Sequence, residues 1–224
     1  MTSAGAYAQN DSLSLDKDSS ITLYDAFNPV TGGDSVRMCN GQPCMGLQKD
    51  YYANGELKHK GYYNKGKLTP TYRNYFSDGK MEREFKEKNA NKAELKVYYP
   101  DGQLRSNVSF WKGEPLEWKE YYSNGELEFY ELMDKGLEHV VQRTYYYPNG
   151  NRQSHLELTD KKTLTFTKTI YYENGVAKEK GSVVFNPYKH AYFRTGEWIF
   201  FDQQGNPEVK QSYVKDKVIS EEQL

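Results

Sequence analysis

Long apolar runs are missing from this chain of 224 residues. Lys and Glu interrupt its alternating segments at every second or third position, so no stretch approaches the roughly 20 apolar residues of a membrane-spanning helix. Cysteine and histidine are also scarce, with two and four residues. This scarcity predicts neither a metal site nor a cofactor, and the sequence contains no transmembrane segment.

The chain also lacks an excess of charge of either sign. It has 30 basic and 31 acidic residues, interspersed along the sequence, and a formal net charge of -1. A protein that binds a phosphate backbone or an anionic leaflet normally carries a strong basic excess. The composition therefore predicts that nucleic acid is not the partner.

Aromatic rings take the place of aliphatic side chains. Hydrophobic residues make up 37% of the chain and the mean hydropathy is -0.95, yet there are 21 tyrosines and 10 phenylalanines. Burial must then rely on amphipathic rings, which favours thin sheets over thick cores.

A short motif of two aromatics followed by a turn recurs along the chain. Its first copy is Tyr51-Tyr52-Ala53-Asn54-Gly55, and its last and loosest copy runs from Phe200 to Gly205. The seven motif glycines are Gly55, Gly79, Gly102, Gly125, Gly150, Gly175 and Gly205. Their separations are 24, 23, 23, 25, 25 and 30 residues, and the last is lengthened by an insertion around residues 186–188. Such regularity indicates tandem repeats.

Asn-Gly and Asp-Gly pairs between alternating aromatic and aliphatic residues are typical of type I′ hairpin turns. With Asn54-Gly55 at the centre of the turn, Tyr52 is expected to face Leu57, and Tyr51 to lie on the other face of the sheet. The same reasoning places Trp118, Tyr122 and Leu127 together on the core face. A second turn is expected in each unit; its predicted positions are Lys65-Gly66, Lys112-Gly113, Lys135-Gly136, Asp160-Lys161 and Lys215-Asp216.

Two strands and two turns per unit predict an all-β fold, a single elongated and twisted antiparallel meander of about seven hairpin repeats. Residues 35–224 are assigned to this repeat domain, and residues 35–47 to its capping hairpin. Residues 1–34 are polar and are expected to form a disordered or loosely docked tail. Within them, Ala6-Tyr7-Ala8 has the A-x-A form of a signal-peptidase site and predicts an exported protein, in the periplasm or cell envelope; without a signal peptide the protein would be cytoplasmic.

The two cysteines, Cys39 and Cys44, flank Asn40-Gly41. A turn at this pair would bring the cysteines to bridging distance and permit a disulfide. Free thiols and metal binding are the alternatives, although the four scattered histidines supply no second ligand pair.

The repeated Tyr-Tyr-x-Asn-Gly and the pattern Gly196-Glu197-Trp198 through Gly205 resemble the MORN family, more narrowly the bacterial MORN-variant proteins that include YwqK-type antitoxins. The resemblance extends over residues 35–220. It implies an architecture of hairpin repeats and, for function, an antitoxin or immunity protein that binds a toxin directly. Trp occupies the motif position only in Trp118 and Trp198, so the resemblance is weaker in the other copies.

Catalytic motifs are missing from the sequence. It contains no phosphate-binding glycine loop, nucleophile elbow or Cys/His pair. Acidic pairs such as Glu82 and Glu84 are interpreted as solvated strand faces, and the histidines as surface or turn residues. These observations predict a protein that is not an enzyme and has no catalytic residues.

The first aromatics of the repeats form a candidate binding face on the side opposite the core. They are Tyr51, Tyr75, Tyr98, Tyr121, Tyr146 and Tyr171. Their simplest role is to pack between neighbouring strands; the functional alternative is a surface for a partner, because tyrosine is enriched at interfaces. The first hypothesis is a scaffold for a protein partner, and the alternatives are an antitoxin and a glycan or membrane-surface module. The chain is expected to be a monomer with an edge strand near Tyr213 and Val214.

Overall fold

The computed structural model describes residues 23–224, apart from the side chain of Pro70. Residues 23–25 are helical, and a 3-10 turn follows at Pro29–Thr31. The strands are β1 (Met38–Cys39), β2 (Gln42–Pro43), β3 (Gly46–Tyr51), β4 (Leu57–Asn64), β5 (Lys67–Tyr75), β6 (Met81–Asn89), β7 (Lys92–Tyr98), β8 (Leu104–Trp111), β9 (Glu114–Tyr121), β10 (Leu127–Met133), β11 (Val140–Tyr146), β12 (Arg152–Asp160), β13 (Thr165–Tyr171), β14 (Ala177–Asn186), β15 (Ala191–Phe201), β16 (Pro207–Val214) and β17 (Lys217–Gln223).

Strands β3 to β17 form one 15-stranded antiparallel sheet in which every strand pairs with its neighbours in the chain. The sheet is open over the described part of the chain, with β3 and β17 at its edges. The short strands β1 and β2 form a separate hairpin. The predicted all-β antiparallel meander of hairpin repeats is therefore confirmed.

The repeated turns differ from the predicted type I′ turn. In the first copy Gly55 has φ +87°, whereas Asn54 has a negative φ. The Gly55 N–H donates to the Tyr52 carbonyl at 2.9 Å, and the Tyr52 N–H donates to the Glu56 carbonyl at 2.8 Å. This is a type I turn whose last residue is a left-handed glycine, the three-residue hairpin loop. The same bonds recur at Gly79, Gly102, Gly125, Gly150, Gly175 and Gly205.

The extra loop residue shifts the predicted strand register by one position. Tyr51, rather than Tyr52, pairs with Leu57. Tyr121 likewise pairs with Leu127, which corrects the expectation that Leu127 shares the core face with Trp118. A shift of one residue moves a strand side chain to the other face, because the side-chain period of a strand is two.

Type I′ turns are found instead at the opposite ends of the strands. Lys65-Gly66 has φ +49° and +75°, Lys112-Gly113 has +53° and +86°, and Lys215-Asp216 has +49° and +65°. Each joins its strands through two residues. The other two predicted second turns lie in longer connections, at residues 134–139 and 161–164, and the insertion lies in the turn before β15.

One face of the sheet carries the core. A row of paired residues crosses the first half, consisting of Tyr72, Phe85, Leu95, Val108 and Trp118. A second cluster in the other half consists of Leu156, Phe166, Val183, Trp198 and Tyr213. Between the two halves the same row contains Glu131 and Arg143, which form a salt bridge. The core face thus has two apolar clusters separated by an ion pair.

Residues 23–34, here called the N-terminal segment, pack against the first half of this face. Tyr24 is 2% exposed, and its ring stacks on His59 with centroids 3.8 Å apart. The Leu68 N–H donates to the Phe27 carbonyl at 2.8 Å. The predicted domain boundary at residue 35 therefore falls within a packed region, because aromatic anchors in this polar stretch bury against the sheet. The A-x-A motif lies outside the described residues.

The hairpin of β1 and β2 lies within the stretch predicted to cap the array. Asn40 and Gly41 have φ +50° and +80°, so this Asn-Gly pair does form the predicted type I′ turn. The structure places a disulfide between Cys39 and Cys44, with Cα atoms 4.9 Å apart. Cys44 is fully buried in the first core cluster.

Candidate functional site

The predicted ladder of first tyrosines follows the face opposite the core. Each member is the last residue before a glycine turn, on a strand whose neighbouring residues face the core. Tyr51 is 57% exposed, and the other five are half-buried. Their cross-strand partners are Leu57, Met81, Leu104, Leu127, Arg152 and Ala177. The structure therefore brings the six tyrosines into one strip of rings and mostly aliphatic side chains, which we call the tyrosine ladder.

Paired charges cover the same face beside the ladder. Arg73 forms a salt bridge with Glu84 at 2.7 Å, and Lys119 forms one with Glu117 at 2.9 Å. The Lys119 ammonium also lies 5.7 Å from the centre of the Tyr130 ring. Because the charges of both signs are paired, this face presents a mixed surface rather than a field of one sign.

The second tyrosines of the repeats have a different role, which the sequence reasoning missed. The Tyr122 hydroxyl donates to the Tyr146 carbonyl of the next repeat at 2.7 Å. Equivalent bonds join Tyr52 to Tyr75, Tyr99 to Tyr121, Tyr147 to Tyr171 and Tyr172 to Phe201. Each ladder tyrosine that accepts such a bond is thereby held at a fixed distance from the repeat before it. The signal available in the sequence was the recurrence of Tyr, with its hydroxyl, at the second position.

Turn asparagines add a second set of bonds between repeats. The Asn54 side-chain amide donates to the Ser77 carbonyl at 2.9 Å, and that of Asn124 donates to the Pro148 carbonyl at 2.8 Å. Asn149 and Asn174 make the same contact with the following turn. These bonds give asparagine a role here that does not require a positive φ.

A cleft lies on the core face, beside the docked N-terminal segment. It has a volume of about 590 Å³, an apolar floor that includes Leu95, Val108 and Phe110, and a rim formed by residues 29–32 and 112–115. Arg83 lines it and is held by Asp25, with Nη1 and Oδ2 2.6 Å apart. The cleft is thus formed jointly by the sheet and the segment predicted to be a tail.

The polar end of the cleft contains Ser106, Trp118 and Glu120. Glu120 is 4% exposed; its Oε1 accepts hydrogen bonds from Ser106 Oγ, at 2.9 Å, and from Trp118 Nε1. Burial raises the pKa of the Glu120 carboxyl, and these two hydrogen bonds oppose the rise. A carboxylate at the end of an apolar cleft was not anticipated, because Glu120 lies in a Lys-Glu-rich stretch resembling any solvated strand.

His59 is fully buried, which corrects its interpretation as a surface or turn residue. Its Nδ1 lies 2.7 Å from Asn74 Oδ1, and its Nε2 lies 3.0 Å from the Tyr63 hydroxyl. Burial lowers the pKa of His59 to about 4, so the ring is neutral at pH 7. The contacts on both ring nitrogens and the stacked Tyr24 assign it a structural role.

Metal ligands do not cluster within residues 23–224, where no three His, Cys, Asp or Glu side chains are placed to hold an ion. Within the same residues, no helix has both the length and the apolar character required to cross a membrane.

Four segments of the chain match the family described as MORN repeat variant, at residues 46–65, 93–112, 116–134 and 194–215. Each segment contains two neighbouring strands of the sheet and the glycine turn between them. The repeating unit of the fold and the family repeat are therefore the same hairpin. The chain contains MORN-variant repeats at these four segments.

The similarity of the chain to solved structures is low. A mutant of Staphylococcus aureus TarM, solved with Fondaparinux, alpha-GlcNAc-glycerol and UDP, is 7% identical with a TM-score of 0.30, and the match covers 66% of this chain and 21% of that one. A second TarM structure is 9% identical with a TM-score of 0.24, over 56% of this chain and 19% of that one. The chain therefore spans about a fifth of the length of these proteins.

A porin-like protein from Bacteroides uniformis is 10% identical with a TM-score of 0.26, over 84% of this chain and 91% of that one. TM-scores this low carry no argument about function. A search of curated proteins finds no significant match.

Proposed function

We propose that this protein is a non-catalytic scaffold that binds another protein through the tyrosine ladder. The observation that carries the proposal is the continuous strip of half-exposed rings on an open sheet face, flanked by paired charges. Tyrosine offers a large contact area and a hydroxyl at low entropic cost, so a strip of this kind suits a protein partner. The mixed charge of the face does not favour an acidic lipid or a phosphate backbone.

We also propose an exported protein. The disulfide between Cys39 and Cys44 supports this location, because disulfides persist in oxidising compartments such as the periplasm.

A monomer is proposed as well, since the edge strand β17 is exposed throughout and carries Lys217, Glu221 and Glu222, charges of the kind that block edge pairing. Light scattering should then give a mass near 26.1 kDa. The edge lies at β17 rather than at Tyr213, which is buried between β15 and β17.

The test is an affinity capture from the native organism with three forms of the protein. The parent is compared with a variant carrying Tyr98→Ser, Tyr121→Ser and Tyr146→Ser, and with the matched variant that has Phe at the same positions. Circular dichroism first establishes that all three fold. We expect the parent to retain a partner. The folded Ser variant should lose this partner, and the Phe variant should retain it at least in part.

Equal capture by the Ser and parent forms would remove the tyrosine ladder as the binding face. The identity of a captured partner would separate an envelope scaffold from an antitoxin, since a toxin from a neighbouring gene is the expected partner only for the second. Retention on a glycan resin instead of a protein would contradict the proposal.

A further inference from the structure

The cleft beside the N-terminal segment has the properties of a small-molecule site. Its volume of about 590 Å³ lies within the range of roughly 300 to 1,000 Å³ that is typical of ligand pockets. Such pockets combine an apolar lining with a few buried polar groups at fixed positions. Here the lining is largely apolar, and the buried polar groups are Arg83, Ser106 and Glu120.

The charges that line the cleft leave an acidic excess. Arg83 and Asp25 neutralise one another in their salt bridge, and the rim carries one charge of each sign, on Lys112 and Glu114. Glu120 remains, and both hydrogen bonds to its Oε1 come from the neutral groups of Ser106 and Trp118. Outside the cleft, the charge of Arg105 lowers the pKa of Glu120 and the charge of Glu128 raises it. A ligand with one positive charge would complement this site.

The aromatic and aliphatic surfaces next to Glu120 suit the rest of such a ligand. Trp118 is both a donor to Glu120 and part of the cleft wall, and Phe110 lies on the floor nearby. Cations are attracted to the faces of aromatic rings, most strongly to that of Trp. An alkyl chain could follow the apolar floor toward Leu95 and Val108. An anion would find Arg83, which is 3% exposed and already paired with Asp25, and at the rim Lys112, two residues from the acidic Glu114.

We propose that this cleft binds a small organic cation of the alkylammonium or alkylguanidinium class, with its charge on Glu120 and its chain along the apolar floor. The site lies on the opposite face of the sheet from the tyrosine ladder and is independent of the proposed protein-binding function. A folded ladder variant should therefore bind the cation like the parent.

The indole N–H signals in a proton–nitrogen NMR spectrum of the full chain give a direct readout. The chain has three tryptophans. Titration with n-pentylguanidinium, which carries a single positive charge, should shift the Trp118 signal in a saturable manner. Trp111, which follows Phe110 on β8 and so faces the other side of the sheet, and Trp198, in the second core cluster, serve as internal references. Hexanoate, an anion with a comparable alkyl chain, should leave the Trp118 signal in place.

Glu120→Gln is the decisive variant, because the amide oxygen can still accept from Ser106 and Trp118 while the charge is lost. It should weaken the binding of n-pentylguanidinium at least 10-fold. Glu117→Gln is the matched control, since Glu117 lies on the same strand but on the opposite face, paired with Lys119; it should bind like the parent. Equal binding by Glu120→Gln, or an equal response to hexanoate, would overturn the proposal.

A third titration identifies the source of the cation. The peptide acetyl-Gly-Arg-Gly-amide carries the same guanidinium on a backbone. Weaker binding of the peptide than of n-pentylguanidinium supports a free small molecule, whereas binding of the peptide alone would overturn the small-molecule proposal and assign the cleft to an arginine of a protein.

Discussion

At the residue scale, the two aromatics of each repeat divide two roles between adjacent positions. The first lies on the open face in the tyrosine ladder, and the second donates its hydroxyl to the backbone of the next repeat. A net contribution of about 1 kcal/mol is typical of one hydrogen bond in a folded protein. The five bonds of this set therefore help to fix the spacing of the repeats.

Tyr122→Phe should lower the free energy of unfolding by about 1 kcal/mol, because the hydroxyl bonded to the Tyr146 carbonyl is lost and the ring is kept. The neighbouring change Tyr121→Phe removes a ladder hydroxyl on the other face and should cost clearly less. Urea denaturation measures both. Phe76 occupies the second position without a hydroxyl, so Phe76→Tyr should stabilise the protein. Equal costs at Tyr121 and Tyr122 would contradict this role.

The buried His59 should make the stability of the fold sensitive to acid. Its pKa is about 4 in the folded protein and near 6.5 when unfolded, so between these values the unfolded chain binds more protons. Stability is then complete above pH 6.5 and falls by about 3 kcal/mol as the pH decreases to 4. His155, whose pKa is also lowered by burial, acts in the same direction, and Asp50 beside His59 acts at lower pH because its own pKa is lowered.

The measurement is a series of urea titrations from pH 7 to 4 on the parent and on His59→Gln. The variant should be less stable at pH 7 but lose less stability on acidification. A pH dependence that is unchanged in His59→Gln would show that the buried histidine is not its source.

At the element scale, the sequence predicts strands and their order but not the geometry of the turns. The Asn-Gly pairs and the alternation of residues correctly predict hairpins, since these signals are local. A type I′ turn and a type I turn with a left-handed glycine both accept Asn-Gly, and they differ by one loop residue. In the longer loop Asn54 also contacts Ser77 of the next repeat, a contact between repeats that the local pattern does not indicate.

The same limitation explains what was missed at the candidate sites. The members of the tyrosine ladder were predictable because they depend only on the repeat and the period of a strand. The cleft depends on residues 23–34 docking on the sheet, through Tyr24 on His59 and Asp25 on Arg83. These pairs are separated by 35 and 58 positions and have no local signature in one sequence.

Gly125→Ala tests the turn geometry without the complication of crowding. Gly125 has φ +86°, and an added Cβ would meet only the end of the Gln103 side chain, at 3.5 Å. The left-handed conformation costs a residue with a Cβ about 1 kcal/mol, which should appear as lost stability in urea denaturation. Gly136→Ala is the matched control, because its nearest neighbour is also at 3.5 Å but its φ is not in the left-handed region. Equal costs would contradict the assigned turn.

At the scale of the whole molecule, the two core clusters should behave as separate cooperative regions. Each hairpin contacts mainly its neighbours, so stability is expected to spread along the array by nearest-neighbour terms. The salt bridge between Glu131 and Arg143 separates the apolar clusters. Local opening in one half should then leave the other half folded.

Phe85→Ala and Phe166→Ala form a matched pair, since the two rings are 1% and 2% exposed and lie in different clusters. Each truncation should cost about 3 to 5 kcal/mol. Hydrogen exchange followed by mass spectrometry should show faster exchange mainly in strands β4 to β8 for Phe85→Ala and mainly in β12 to β16 for Phe166→Ala. Uniform acceleration across the sheet in both variants would indicate a single cooperative unit.

We propose the tyrosine ladder as the face that contacts a protein partner. Hydroxyl-radical footprinting of the protein, alone and with its captured partner, tests it directly. Labelling of Tyr51, Tyr98 and Tyr121 should fall on binding, while the loop residue Tyr188, which is 94% exposed, should be labelled as before. Unchanged labelling of the ladder, with protection confined to the loops or the cleft, would rule out the ladder as the binding face.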